Sequence, residues 1–285
     1  MWKYKLAMNA SPQFCIPIAD QIRLYKRIGF EGFFLEYQHT EEWRKNIAEW
    51  RKIADEEGMI FQSIHAPFSL MRAIWSTEPD ADEAVDQLIG CVRTCAENKV
   101  PIMVAHTFIG FDDHTPTEVG LENFAKIVAE AEKLGVKVAF ENVEGEEYLA
   151  AVMERFKDSP AVGFCWDTGH EMCYNHSKDM LALYGDRLIA THINDNLGVS
   201  NFDGVITWRD DLHLLPFDGI GDWQDIASRL DRCGFDDIMS FELSCFSKPE
   251  RIDNKQYENI SFEEYVAMAY ARACRVATLR KGYKK

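Results

Sequence analysis

The sequence predicts an α/β protein, a (β/α)8 TIM barrel formed by a single domain of residues 1–285. Short apolar runs of strand length alternate eight times with longer amphipathic stretches, which is typical of βα units around a parallel sheet. No linker rich in Ser and Gly and no low-complexity stretch divides the chain. Eight βα pairs in one domain therefore indicate a closed barrel.

The predicted elements follow one another in regular order along the chain. The strands are expected at Tyr4–Met8, Gly32–Glu36, Ile60–His65, Ile102–His106, Lys137–Glu141, Ala161–Asp167, Leu188–Ile193 and Ile238–Glu242. The helices are expected near residues 17–29, 41–57, 80–98, 117–134, 146–157, 176–185, 222–233 and 261–279. Thr117 is a favourable helix N-cap and Gly135 a typical helix end, and Asp222 and Gly234 bound another helix in the same way.

Composition restricts the classes of partner. The chain has 47 acidic and 31 basic side chains, a formal charge of −16 that repels polyanions, so nucleic acid is a disfavoured partner. No apolar run has membrane length, and no cationic N-terminus precedes an apolar segment, so we expect a cytoplasmic protein without a membrane partner. Apolar residues on the outer helices leave a homodimer open.

Polar residues stand repeatedly at the ends of the apolar runs. The carboxyl ends of all strands in a (β/α)8 barrel meet at one face, where such barrels keep their chemistry. We therefore expect one site assembled from many strand ends. The residues concerned are Glu36, His65, His106, Glu141, Asp167 with His170, His192, Asp211 with His213, and Glu242.

Four of these residues form a candidate metal site. Burying an unpaired carboxylate is costly, so a strand-end Glu or Asp needs a cation or hydrogen-bond donors. A structural salt bridge to a barrel Lys or Arg is the alternative for either Glu alone. Three carboxylates and one imidazole suit Mn²⁺, Mg²⁺ or Co²⁺, and the imidazole also admits Zn²⁺. The candidate ligands are Glu141, Asp167, His192 and Glu242.

Three further residues are possible additional ligands. Gly169 permits a tight turn after Asp167 that would bring His170 back over the same site. Alternation in an extended segment points Asp211 and His213 to one side. The alternatives are that His170 contacts a ligand residue without binding the ion, or lies at the surface, and that Asp211 and His213 belong to a capped loop with a solvated His.

The remaining candidates are substrate contacts. His65 and His106 would face the same mouth, either as direct ligands or as substrate contacts. Glu36 is expected to orient a neighbour or to bind a sugar hydroxyl. Trp75 and Trp208 lie in loop-like stretches and are the aromatic residues predicted to wall a sugar pocket.

At these residues the chain resembles the xylose isomerase-like TIM-barrel superfamily. This superfamily holds sugar isomerases and epimerases, inosose dehydratase-like enzymes and type-IV apurinic endonucleases. The resemblance covers nearly the whole chain through Glu36, His65, His106, Phe140-Glu141-Asn142, Asp167-Thr168-Gly169-His170, His192-Ile193-Asn194-Asp195-Asn196, Asp211-x-His213-Leu-x-Pro, Gly219-x-Gly221-Asp222-Trp223 and Phe241-Glu242.

The ketose 3-epimerase-like branch implies specific roles for several positions. Its pattern implies that the four candidate ligands hold one divalent ion, usually Mn²⁺, and that Glu141 and Glu242 also transfer protons. His170 and Glu147 match substrate-contacting positions of that branch. The branch carries an Arg six residues after the His of the seventh strand, where this chain has Gly198.

The resemblance implies a metal-dependent sugar isomerase or epimerase that abstracts a proton α to a carbonyl and passes through an enediolate. The alternative is an inosose dehydratase-like lyase, which shares the proton abstraction and then loses water. A third interpretation is a type-IV apurinic endonuclease-like phosphodiesterase with three zinc ions. The nine residues of that site match His65, His106, Glu141, Asp167, His170, His192, Asp211, His213 and Glu242. A sugar-binding barrel without activity is the non-enzymatic alternative.

Overall fold

The computed structural model describes residues 4–112, 115–199 and 204–281, and it confirms the predicted (β/α)8 barrel. The strands are parallel and pair in the order β7-β6-β5-β4-β3-β2-β1-β8. They are β1 Leu6–Ala10, β2 Gly32–Glu36, β3 Ile60–His65, β4 Ile102–Ala105, β5 Lys137–Glu141, β6 Val162–Asp167, β7 Leu188–His192 and β8 Met239–Phe241.

The barrel closes between β7 and β8 through Ile193. Its backbone N–H donates to the Ser240 carbonyl at 2.8 Å, and its carbonyl accepts from the Glu242 N–H at 3.2 Å. Ile193 also forms a parallel bridge with Phe241. This closure places Glu242, at the end of β8, beside His192, at the end of β7.

Helices alternate with the strands around the outside. They are α1 Ile18–Ile28, α2 Glu41–Glu57, α3 Pro79–Glu97, α4 Glu118–Leu134, α5 Glu146–Arg155, α6 Thr168–Cys173, α7 Met180–Tyr184, α8 Trp223–Arg232 and α9 Phe262–Leu279. The Thr117 side chain caps α4 by accepting from the Gly120 N–H, and Gly135 ends the helix with a positive φ of 71°. The part of the chain described here contains no helix with the length and apolarity needed to cross a membrane.

The sixth helix and the first strand differ most from the prediction. The prediction of one helix near 176–185 was wrong, because α6 begins directly at Thr168 and α7 covers only Met180–Tyr184. The cause is local, since the Asp167 carboxylate accepts from the His170 N–H at 2.6 Å and starts a helix where β6 ends. The first strand lies at Leu6–Ala10, two residues later than predicted.

The two faces of the strands enter different cores. Met103, Val138, Phe140 and Phe164 belong to the large core that the helices cover. The intervening residues form a separate buried cluster of small side chains, with opposite orientation because side chains alternate along a strand. Its members are Ile102, Val104, Ala139, Cys165 and Ala190. This cluster lies in the barrel interior on the side of β4 to β7, and the site lies above it.

Candidate metal centre

Strand alternation aims the predicted ligands into the barrel. Glu141, Asp167 and His192 each stand two residues beyond a member of the small interior cluster, and side chains two apart on a strand share a face. Asp167 pairs in register with His192 across β6 and β7. The three side chains therefore lie together above an apolar floor.

The four-ligand cluster consists of Glu141, Asp167, His192 and Glu242. One ligand atom from each lies within 4.8 Å of the others, and all four residues are buried. His192 Nδ1 lies 3.0 Å from Glu141 Oε1 and 3.2 Å from Glu242 Oε2. The imidazole thus stands between the two glutamates that the resemblance assigns to proton transfer.

Two more histidines approach the other oxygen of Glu141. His65 Nε2 lies 3.3 Å and His106 Nε2 3.4 Å from Glu141 Oε2. The His65 ring is oriented by a 2.8 Å contact between its Nδ1 and the Ala66 carbonyl. That bond needs a proton on Nδ1, which leaves the Nε2 lone pair directed at the site. Both histidines therefore lie at the mouth, as predicted, and their roles stay predictions.

A second cluster lies beside the first and consists of His170, Asp211 and His213. Its ligand atoms also lie within 4.8 Å of one another. Asp211 Oδ1 is 3.6 Å from His170 Nε2, and Asp211 Oδ2 is 2.8 Å from His213 Nε2. The His170 Nδ1 contacts the Asn142 carbonyl at 3.0 Å, which orients Nε2 towards Asp211.

The residues of the four-ligand cluster fit a divalent cation. Oxygen-rich donors with one imidazole suit Mn²⁺, Mg²⁺, Co²⁺ or Zn²⁺. Within the described ranges, the ion-pair partners of Glu141 and Glu242 are histidines, so no Lys or Arg salt bridge accounts for these two carboxylates. The buried Glu141 Oε2 has no hydrogen-bond donor in good geometry, as expected of an oxygen that a cation completes.

Burial and histidine contacts compete in setting the pKa of the two glutamates. Desolvation favours the neutral form of Glu141, but the charge of His192 and the close approach of the His106, His192 and His65 rings outweigh it and hold the pKa well below its usual value. Desolvation acts on Glu242 in the same way, and the charges of His192 and His213 lower its pKa to about 2. Both glutamates are therefore charged at neutral pH.

His192 and Asp167 shift in the opposite direction. Burial opposes the charged imidazole of His192, but Glu141 and Glu242 raise its pKa well above the ordinary value. Burial raises the pKa of Asp167 to about 7, against the attraction of His170 and with the repulsion of Glu141. A cation entering this cluster would therefore displace protons from the imidazole and the aspartic acid.

Residues 22–260 match the model of a protein family described as xylose isomerase-like TIM barrel. The chain belongs to this family. A curated relative, the uncharacterized protein y4fM of Sinorhizobium fredii, is 35% identical over 97 residues, which cover 30% of this chain and 31% of that protein.

Solved structures share the xylose isomerase-like fold over nearly their whole length. A xylose isomerase domain protein from Planctomyces limnophilus is 14% identical with a TM-score of 0.73, covering 98% of both chains. The IolI protein with a bound zinc atom is 17% identical with a TM-score of 0.72, covering 95% of this chain and 98% of that one. L-ribulose 3-epimerase is 16% identical with a TM-score of 0.70, covering 98% of this chain and 96% of that one.

Glu36 ends β2 at the mouth of this xylose isomerase-like barrel. Its side chain is open to solvent through the mouth, yet the surrounding protein desolvates it enough to raise its pKa. His65 opposes that shift and Glu242 adds to it, so the Glu36 carboxyl group lies within electrostatic reach of both. It faces the site, as the strand-end pattern predicts.

The structure separates the two predicted tryptophans. Trp75 is buried, and its Nε1–H donates to the Thr107 carbonyl at 2.7 Å while its ring packs on Phe124 and Tyr148. It is a core residue, which corrects its prediction as a wall of the sugar pocket. Trp208 is half exposed in the segment after β7, so its ring can still contact a substrate, and its predicted place in the sugar pocket stays a prediction.

Asn142, Asn194 and Phe34 orient the ligands, a role that the sequence pattern did not indicate. Asn142 and Asn194 are fully buried beside the site. The Asn142 amide donates to the Asp167 carbonyl at 2.8 Å and accepts from the Asp167 N–H at 2.8 Å. Phe34 stacks on His192, with ring centroids 4.6 Å apart. Asn142 directly follows Glu141, and Asn194 lies two positions after His192. Proximity to a strand-end ligand is the signal that could have found the two asparagines.

Glu147 and Asp195 belong to the matching motifs but are not members of either ligand cluster. Glu147 is exposed in the first turn of α5, and its match to a substrate-contacting position stays a prediction. The Asp195 carboxylate accepts from the N–H groups of Phe217 and Gly221 at 2.9 Å and from Trp223 Nε1 at 3.0 Å. Asp195 therefore fixes the long segment after β7 against the start of α8.

Proposed function

We propose that this protein is a divalent-metal-dependent sugar isomerase or epimerase that works by proton transfer at the carbon α to a carbonyl. The observation that supports it most is the placement of Glu141 and Glu242 at 3.0 and 3.2 Å from the same His192 nitrogen. Two carboxylates thereby converge on one buried nitrogen. The solved structures of epimerases with the same fold support this class of reaction.

The two glutamates would move the proton. Their lowered pKa values leave both as carboxylates at neutral pH, so either can accept a proton from the substrate carbon. The glutamate that takes the proton becomes a carboxylic acid, and returning the same proton to the neighbouring carbon would isomerise the sugar. Inversion of the first carbon would need the opposite glutamate to take a proton from solvent and deliver it to the other face. A divalent cation held by the four-ligand cluster supplies Lewis acidity towards the substrate oxygens.

The mouth favours an uncharged polyhydroxylated substrate. The carboxyl groups of Glu36 and Glu242 lie around the opening with several imidazoles, and both kinds of side chain are good partners for hydroxyl groups. The half-exposed Trp208 and the exposed Phe68, which stacks on His106 at 4.7 Å, offer apolar faces for a sugar ring. We therefore propose a small sugar or polyol as the partner of this site.

Solvent exchange tests the proposal before the substrate is known. Ketoses, aldoses and inososes are incubated in deuterated water with protein loaded with Mn²⁺, and deuterium incorporation is measured by NMR. We expect incorporation with the wild type and a loss of at least about a hundredfold with Glu242→Gln. Unimpaired exchange in Glu242→Gln would contradict the proposed role of Glu242 in proton transfer. Glu263→Gln, on the exposed face of α9, is the matched control and should leave exchange unchanged.

The products separate the related alternatives. A dehydratase yields a conjugated carbonyl that absorbs in the ultraviolet, whereas an isomerase or epimerase yields a sugar without such absorption. Sugar binding to metal-free protein with no exchange in any condition would indicate the non-enzymatic barrel. A conjugated product, or binding without exchange, would each contradict the isomerase proposal.

The second cluster favours one further candidate function. His170, Asp211 and His213 offer three donors beside the four-ligand cluster, an arrangement suited to a multinuclear metal hydrolase of phosphodiesters. The charge of −16 opposes binding of a nucleic acid. Cleavage of an oligonucleotide duplex containing an abasic site, dependent on added Zn²⁺, would favour this candidate over the isomerase.

A further inference from the structure

Lys248 reaches the second cluster from the segment that follows β8. Its Nζ lies 3.3 Å from Asp211 Oδ2 and donates a hydrogen bond to it. The Lys248 side chain is 27% exposed, whereas that of Asp211 is 11% exposed. The Lys248 side chain therefore extends from the partly exposed edge of the site, and its ammonium group contacts a candidate ligand oxygen of Asp211.

The segments after β7 and β8 hold this lysine in place. Its ammonium lies 5.9 Å from the centre of the Trp208 ring, a distance at which the ring face attracts a cation. Arg251 approaches Asp210 at 3.7 Å, and the Ser244 N–H donates to the His213 carbonyl at 3.0 Å. The lysine is therefore part of a wall that joins the two segments.

The second cluster has donor atoms that the protein leaves incomplete. Asp211 Oδ1 and His213 Nε2 are buried and have no hydrogen-bond partner in good geometry. Asp211 is nevertheless in contact with His170, His213 and Lys248 at once. Among the described residues, Lys248 is the lysine that forms an ion pair with this cluster.

We propose that Lys248 takes the electrostatic place of a second metal ion, so that the protein binds one divalent cation at the four-ligand cluster and a second one only weakly. The inference rests on the proposed metal-dependent function. It adds the reason why the protein would bind one divalent ion tightly and not two. The ammonium neutralises Asp211, and a divalent ion bound there would face a like charge at close range. Binding the second ion therefore requires Lys248 to leave Asp211.

This assignment separates two kinds of chemistry that the same side chains permit. One cation beside two glutamates suits proton transfer at carbon, whereas several adjacent cations suit attack of water on a phosphodiester. Lys248 selects the first by keeping the second cluster free of a tightly held ion. The residue thus determines reaction specificity without touching the four ligands.

Counting bound ions tests the inference. Metal-free protein is dialysed to equilibrium against increasing Zn²⁺, and bound zinc is measured by elemental analysis for the wild type and Lys248→Met. We expect one tightly bound ion in the wild type. In Lys248→Met the second ion should bind about tenfold more tightly or better, because the stem is kept and the charge is removed.

Matched variants isolate the charge. Lys248→Arg should behave as the wild type, and Lys255→Met should too, because it removes an exposed lysine from the same segment. Asp211→Asn combined with Lys248→Met should abolish the gain, because the ligand is lost. Circular dichroism establishes that each variant is folded.

The outcomes are distinct. Equal affinity for the second ion in the wild type and Lys248→Met overturns the role of Lys248 and leaves the proposed function standing. Two tightly bound ions in the wild type overturn it as well. No bound ion in either protein overturns the metal-dependent function together with this inference.

Discussion

The Asp167 carboxylate is held on both oxygens by its own chain. Oδ1 accepts from the His170 N–H at 2.6 Å, and Oδ2 accepts from the Asn194 amide at 2.9 Å. Asn194 is in turn fixed by Thr168, whose hydroxyl accepts from the Asn194 N–H at 2.9 Å. Gly169 makes room for this arrangement, because a Cβ there would lie 1.9 Å from Asn194 Oδ1. The glycine of the motif is therefore explained by close approach to Asn194.

Gly169→Ala should weaken metal binding. The added methyl group displaces Asn194, and loss of a residue that orients a ligand typically costs about 10–100-fold in metal affinity. Titration of metal-free protein with Mn²⁺ measures the change. Gly90→Ala is the control, since a methyl group in the middle of α3 would approach the Tyr37 hydroxyl at 3.3 Å and the His39 ring at 3.8 Å, far from the site. An unchanged affinity in folded Gly169→Ala would contradict the role of Asn194.

At the scale of elements, α6 is tied to α8 by a buried ion pair. Glu171, which follows His170 in α6, accepts from Arg229 Nη2 at 2.8 Å and from Trp166 Nε1 at 2.8 Å. The Arg229 guanidinium lies 4.8 Å from the centre of the Trp166 ring. The Met180 N–H also donates to Glu171 at 3.0 Å, so α7 joins the same network. These contacts fix the helix that carries His170.

Arg229→Met should lower the free energy of unfolding by about 3–5 kcal/mol, because it leaves the Glu171 carboxylate buried without its partner. Urea denaturation followed by circular dichroism measures the loss. Arg232→Met removes a neighbouring arginine whose side chain is 59% exposed, and should cost about 0–1 kcal/mol. Equal losses in the free energy of unfolding for the two substitutions would show that the buried ion pair contributes no more to stability than an exposed arginine does.

Across the whole molecule, the concentration of acids and imidazoles at one barrel face couples stability to pH. The raised pKa of His192 adds stability that is complete below about pH 6.5, the ordinary value, and is lost as pH rises through the folded pKa. Asp167 acts in the same direction, losing stability between about pH 3.9 and its folded pKa of about 7. The metal-free protein is therefore less stable in mild alkali than near neutrality.

A divalent cation should reverse this loss. It replaces the protons of His192 and Asp167, so saturating Mn²⁺ should raise Tm more at about pH 8 than at about pH 6. Scanning calorimetry with and without the ion measures the two increments. In His192→Gln the difference between the two increments should shrink. A larger increment at the lower pH would contradict the pKa directions.

The strand ends were predictable because all parallel strands of a barrel bring their carboxyl ends to one face. That geometry brings Glu141 and His192, which are 51 positions apart, to within 3.0 Å of each other. The packing of loops was not predictable in the same way. Trp75 enters the core because Gly120 of α4 leaves room beneath its ring, and no periodicity in the sequence joins those two positions. The anchoring of Trp223 by Asp195 is equally non-local.

Anomalous diffraction from crystals grown with Mn²⁺ tests the central claim most directly. A peak at the manganese edge should lie within coordination distance of oxygens from Glu141, Asp167 and Glu242 and of a His192 nitrogen, at about 2.0–2.3 Å. The account predicts one strong peak there in each molecule. A strong peak elsewhere, or none at this cluster with Mn²⁺ in excess, would contradict it.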